Sequence, residues 1–179
     1  MFAKALANVS KRSFSSIFKY TNASNPRVFL SVAQGGSPVG EMVFELYEDR
    51  QPATVENFRT LCEGAYEGSA ISSGMAGLGF NAGHLSEENL SAFEVRSPDE
   101  DMTVRHTHRG QLTMVNDGTN ANGSEFMVTY GETQFLNGYN TCFGELVEGE
   151  DVLAQLEAKT DRHGNVAGDW TIAASGHKA

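Results

Sequence analysis

The chain has 179 residues, of which 40% are hydrophobic and 20% charged, with a formal net charge of −10. That length holds one sizeable core, and no run approaches the ~18 apolar residues a bilayer-spanning helix needs, so the chain reads as not transmembrane. Cys62 and Cys142 are too few for a disulfide framework and sit in apolar surroundings, which predicts reduced, buried thiols.

Charge is unevenly shared. Residues 1–20, MFAKALANVSKRSFSSIFKY, carry Lys4, Lys11, Arg12 and Lys19 and no acid. Removing those four from the 13 basic residues leaves nine against 23 acidic ones, a charge of −14 for the rest. Such a body repels nucleic acid, whose phosphates need clustered lysine and arginine. It attracts basic protein surfaces instead. The extension (1–24) is basic and serine-bearing, and Phe2, Leu6 and Val9 share one face if it is helical. That is the composition of a mitochondrial transit peptide, and KRSFSS is like the surroundings of a matrix-protease cleavage site. The competing reading is a basic arm docked on an acidic surface.

In chain order, RVFLSVAQGGSPVGEMVFELY (27–47) predicts a hairpin: Val28, Leu30 and Val32 alternate, GGSP turns, and Met42, Phe44 and Leu46 alternate again. QPATVENFRTLCEG (51–64) predicts a helix with Pro52 at its start and Thr54 as cap. Val55, Phe58, Leu61 and Cys62 form its apolar stripe, and Gly64 stops it. Residues 65–103 are rich in Gly, Ser and Ala and weakly periodic, so they read as a long irregular connection with one short helix near 86–93. The run Asp99-Glu100-Asp101 reads as a solvated loop, or as a docking patch for a basic neighbour. His106 and His108 have the spacing that aims two imidazoles one way on a strand, but a metal site needs a third ligand and none is suggested nearby.

RGQLTMV and EFMVTY then predict two strands around a polar, glycine-rich loop, NDGTNANGS, of the kind that walls a groove. YNTCFGELVEG predicts a further strand, GEDVLAQLEAK a short helix with Val152, Leu153 and Leu156 on one face, and DWTIAASG a last strand. Many short strands with two separated helices point to a mainly β barrel rather than to βαβ units. Ser124 is not in a nucleophile-elbow context, and no cofactor is called for.

The stretches NPRVFLSV, VGEMVFELYEDRQPATVENFRTLCEG, HRGQLTMVNDGTNANGSEFMVT, FLNGYNTCFGELVEGEDVLAQLE and TIAASG resemble the cyclophilin-type peptidyl-prolyl isomerases in order and spacing. The resemblance covers about 25–64 and 99–176, with Asn57-Phe58-Arg59 and Asn122-Gly123-Ser124-Glu125-Phe126 the most specific motifs. It implies that residues 25–179 form an eight-stranded antiparallel barrel capped by two helices, with a proline-binding groove on its outer face. It places Val115 and Asn116 at the family's Ala-Asn pair, which binds peptide backbone. Glu125 stands where the family usually has Gln, Met127 replaces the Phe of the proline pocket, and Phe135 takes the Trp (or Phe) position. Leu136 is retained, and Asn140 stands where many members have His. The family's arginine motif, Phe-His-Arg followed by Pro-x-Phe-x-x-Gln-Gly-Gly, is not found between Gly64 and His106. Phe80-Asn81-Ala82 is its nearest echo, with Ala82 at the arginine position.

These residues lead to the expectation of a mitochondrial cyclophilin-like domain that has lost catalysis. Its partners would be other protein subunits of a large mitochondrial assembly, met through the basic extension and the acidic surface. An active isomerase assisting folding in mitochondria, and a non-catalytic proline-peptide binding module, are the two other readings.

Overall fold

A computed structural model describes residues 20–71 and 73–179, so the expectations for residues 1–19 lie outside the described part. In chain order the elements are β1 (Arg27–Gln34), β2 (Ser37–Leu46), α1 (Pro52–Leu61), β3 (Ser73–Met75), β4 (Gly79–Ala82), β5 (Gln111–Asn116), β6 (Asn122–Thr129), β7 (Cys142–Glu148), α2 (Glu150–Lys159) and β8 (Trp170–Lys178). A 3-10 turn, Gln134–Leu136, lies between β6 and β7. The strands form one eight-stranded antiparallel sheet in the order β3-β4-β6-β5-β7-β2-β1-β8.

The first hairpin turns through Gly35 and Gly36, at φ 56° and 77°, and Gln34 pairs with Ser37. Two consecutive left-handed residues make the tight turn whose twist matches the flanking strands, and glycine takes that conformation without strain. The predicted alternation then buries Val28, Leu30, Val32, Met42, Phe44 and Leu46.

The sheet curls on itself, and residues 68–71 run along the start of β8. Gly68 and Ile71 donate backbone hydrogen bonds to Ile172 and Trp170, and Ile172 donates back to Ser69. The chain then enters β3 at the opposite edge, where Ser73 bridges Asn165. These contacts pair part of each edge and so remove some of the unpaired backbone groups that invite association.

Inside, α1 contributes Phe58, whose ring centroid lies 5.0 Å from those of Phe126 and Phe143 and 5.4 Å from Tyr66. Helix α2 covers the barrel with Val152, Leu153 and Leu156, the face expected from sequence. It lies so close to β2 that a Cβ on Gly40 would sit 2.5 Å from a Val152 methyl. Cys62 and Cys142 are free and buried, and burial pushes both thiols well above their usual pKa.

Three local expectations are corrected. Thr54 does not cap α1: Gln51 is at the N-cap without a side-chain cap bond. The Glu100 carboxylate accepts from the Ala53 and Thr54 amides at 3.0 and 2.7 Å and from the Thr54 hydroxyl at 2.7 Å. The acidic run is accordingly an internal staple rather than a solvated loop. Asp101 accepts from Arg50 Nε at 2.6 Å, and Asp99 accepts from the Asn120 amide at 2.9 Å. No helix forms near 86–93, because that stretch spends its hydrogen bonds on other elements: Asn89 (φ 46°) binds β5 and β6, and Ala92 N donates to Asn57 Oδ1. Among the described residues no helix is long and apolar enough to cross a membrane.

Candidate functional site

Residues of β6 alternate between the core and the outer face. Phe126 and Val128 are buried, while Glu125 and Met127 face outward, half-buried. Directly opposite Met127 stand Asn81 of β4 and Thr113 of β5. Ala82 lies opposite Phe126 and is 2% exposed, so this position faces the core, and Asn81 is the residue that shares the face of Met127. The echo Phe80-Asn81-Ala82 thus sits on the second strand of the β3–β4 hairpin, with Ser73 paired to Asn81 from the first.

Val115 and Asn116 end β5, and Asn140 lies beside them. The Asn116 side-chain amide donates to the Tyr139 carbonyl and that of Asn140 to the Met114 carbonyl, both at 3.0 Å. The two amides tie the end of β5 to the loop before β7. Asn89 crosses the same region, donating to the Val115 carbonyl at 3.2 Å and accepting at its Oδ1 from the Ser124 and Glu125 amides at 3.0 and 2.9 Å. Its backbone passes so near that a Cβ on Gly123 would lie 1.7 Å from the Asn89 carbonyl oxygen. The Glu125 carboxylate has His84 Nδ1 at 3.5 Å.

Phe135 and Leu136 ride on the 3-10 turn, and the Phe135 ring is 64% exposed. His106 fixes that turn against the sheet. It is fully buried, with Nδ1 3.0 Å from Asn137 Oδ1 and Nε2 2.9 Å from Thr113 Oγ1, and its amide also donates to Asn137 Oδ1. Burial lowers its pKa, while the Asn137 hydrogen bond opposes that shift. A neutral ring donating from Nδ1 and accepting at Nε2 fits both partners. His108 instead points to Glu145 at 3.0 Å, so the two imidazoles serve different partners.

The guanidinium groups of the described residues are placed as follows. Arg27 pairs with Glu45, Arg50 with Asp101, Arg59 with Glu48, Arg96 with Asp117, and Arg109 with Glu150 and Glu157. Arg105 and Arg162 are exposed. On the face of Met127 the polar residue contributed by β4 is Asn81, whose buried Oδ1 has no hydrogen-bond partner among the described residues.

Sequence reasoning did not find Asn81, Asn89 or His106 as organisers of this face. Asn89 carried one signal, since asparagine tolerates positive φ better than other side-chain-bearing residues. The other two are visible only through strand register and long-range hydrogen bonds.

Residues 29–176 match the family described as cyclophilin type peptidyl-prolyl cis-trans isomerase/CLD. The match runs from within β1 to within β8 and includes the face just described, so from residue 29 onward it covers both of the stretches singled out in the sequence and the divergent segment between them. The chain belongs to the cyclophilin-type peptidyl-prolyl cis-trans isomerase family.

Proposed function

We propose that this cyclophilin-like domain does not isomerise prolyl bonds and serves as an accessory, structural subunit of a large mitochondrial assembly. Rotation about a prolyl amide faces a barrier of about 18–20 kcal/mol, set by delocalisation of the nitrogen lone pair into the carbonyl. Lowering it by about 7 kcal/mol speeds rotation roughly 10⁵-fold. As the family resemblance has it, a guanidinium aimed at the prolyl nitrogen supplies that stabilisation in the twisted state. The observation carrying the proposal is the placement of the described arginines. Five of them pair with carboxylates other than Glu125, while β4 offers Asn81, not a cation, beside Met127. Glu125 further replaces a neutral amide by an acceptor-only group. The basic, acid-free extension supports the mitochondrial address.

The test is a protease-coupled assay of cis-to-trans conversion in a short X-Pro peptide. The expected rate equals the uncatalysed background, with or without a cyclosporin-type groove ligand. A rate above background that this ligand abolishes identifies a working isomerase.

One observation favours the binding-module reading. Asn81 is half-buried on the face of Met127 and its inward-turned Oδ1 has no partner among the described residues, so a turn of this side chain would present an unpaired acceptor to the N–H of a bound peptide. Titration of an X-Pro peptide that binds without turnover supports this reading.

A further inference from the structure

A concavity lies at the Asn116–Tyr139 contact. It has a volume of about 380 Å³ and is walled by Asp99 and Met102, by Asn116 and the Gly118–Asn120 turn, and by Tyr139. None of its lining residues is a lysine, an arginine or a histidine. Its chemistry is one-sided. Asp99 is held in place by neutral donors: Asn122 Nδ2 at 2.9 Å on Oδ1 and the Asn120 amide at 2.9 Å on Oδ2. It makes no salt bridge among the described residues, whereas the neighbouring Asp117 is paired with Arg96 at 2.9 Å. Asn116 commits its Nδ2 to the Tyr139 carbonyl, and its Oδ1 accepts no hydrogen bond among the described residues. The Tyr139 ring is 73% exposed, and the body around it is strongly acidic.

A fixed carboxylate, a free amide oxygen and an open aromatic face make a site with acceptors and no positive charge of its own. We propose that this cleft receives one basic side chain, an arginine by preference, from a partner protein. A guanidinium has only donors, pairs with a carboxylate in fixed geometry and stacks on a tyrosine ring, which a compact ammonium does less well. The cleft sits at the small end of ligand pockets, about 300–1,000 Å³, which suits one long side chain rather than a folded ligand. The inference extends the docking role proposed above, but it uses neither the Met127 face nor its catalytic status. An isomerase result in either direction therefore leaves it standing.

The experiment titrates acetyl-Gly-Arg-Gly-amide and its citrulline twin into the isotope-labelled full chain, followed by amide chemical shifts. The arginine peptide is expected to move Gly118, Thr119, Gly138 and Tyr139, with the uncharged citrulline twin about tenfold weaker, as loss of one charge-assisted contact implies. Raising salt weakens the arginine peptide. Asp99→Asn is expected to lose about tenfold. Because Asp99 also braces Asn120 and Asn122, Tyr139→Ala is the deciding variant: its ring is exposed, and its loss weakens binding about fivefold while Tyr139→Phe retains it. Equal shifts from the two peptides, shifts away from the cleft, or unchanged binding by Tyr139→Ala each overturn the proposal.

Discussion

Glu100 lies 46 residues from Thr54, whose amide it meets at the start of α1. Its carboxylate meets two of the amides that a helix start leaves unpaired, where the positive end of the helix dipole also favours an anion. Glu100→Ala is expected to cost about 1–2 kcal/mol of stability in urea unfolding, and Glu100→Gln, which keeps one acceptor, roughly half of that. His106 offers a different test. Its folded pKa is lowered from 6.5 by burial, so the folded state holds fewer protons than the unfolded chain once pH falls below that value. The contribution of this neutral histidine is fully present above the unfolded pKa and is lost as pH falls toward the lower folded one. Urea midpoints measured at about pH 7.5 and about pH 5 are expected to drop on acidification, and less so in His106→Asn, which removes the titrating ring.

At the scale of elements, the informative segment is 65–103. It contains a hairpin, the closure of the barrel and the staples to α1 and β6, yet its composition is that of a loop. Its order comes from partners distant in sequence: Ile71 on Trp170, Asn89 on Val115 and Ser124, and Glu100 on Thr54. If the closure is as firm as the sheet, the amides of Gly68, Ile71 and Ile172 exchange with solvent as slowly as those in the middle of β1. Fast exchange at these three, against slow exchange in β1, marks an open sheet that only touches at its edges. The strands and helices flanking this segment were legible beforehand, because alternation in β1 and β2 and the stripes of α1 and α2 are local patterns. The capping of α1 was not, since its acceptor arrives from outside the helix.

For the whole molecule, the sequence sets a basic extension before a strongly acidic body. A body of charge −14 in the sequence after residue 20 favours contacts with basic surfaces, and such contacts weaken as salt shortens the reach of charge. Gently solubilised mitochondria, separated by size, are expected to hold the protein in a large particle from which added salt releases part of it. Migration solely at roughly 20 kDa, the size its length implies, removes the assembly proposal.

The sequence by itself determined the family, the hairpin of β1 and β2, both helices and the faces they bury, because each of these depends on residues close together in the chain or on motifs of several adjacent residues. The groove's candidate positions at Val115, Asn116, Glu125, Met127, Phe135, Leu136 and Asn140 were reached the same way, through motif matching. Only the tertiary structure decided that Ala82 faces the core and Asn81 the outside, since a strand's register, not its composition, chooses the face. It alone decided that Asp99, Glu100 and Asp101 are bound internally, and that His106 locks the 3-10 turn to β5. A charged or polar side chain reads as solvent-facing until the chain brings it a partner, and most of the partners here lie tens of residues away.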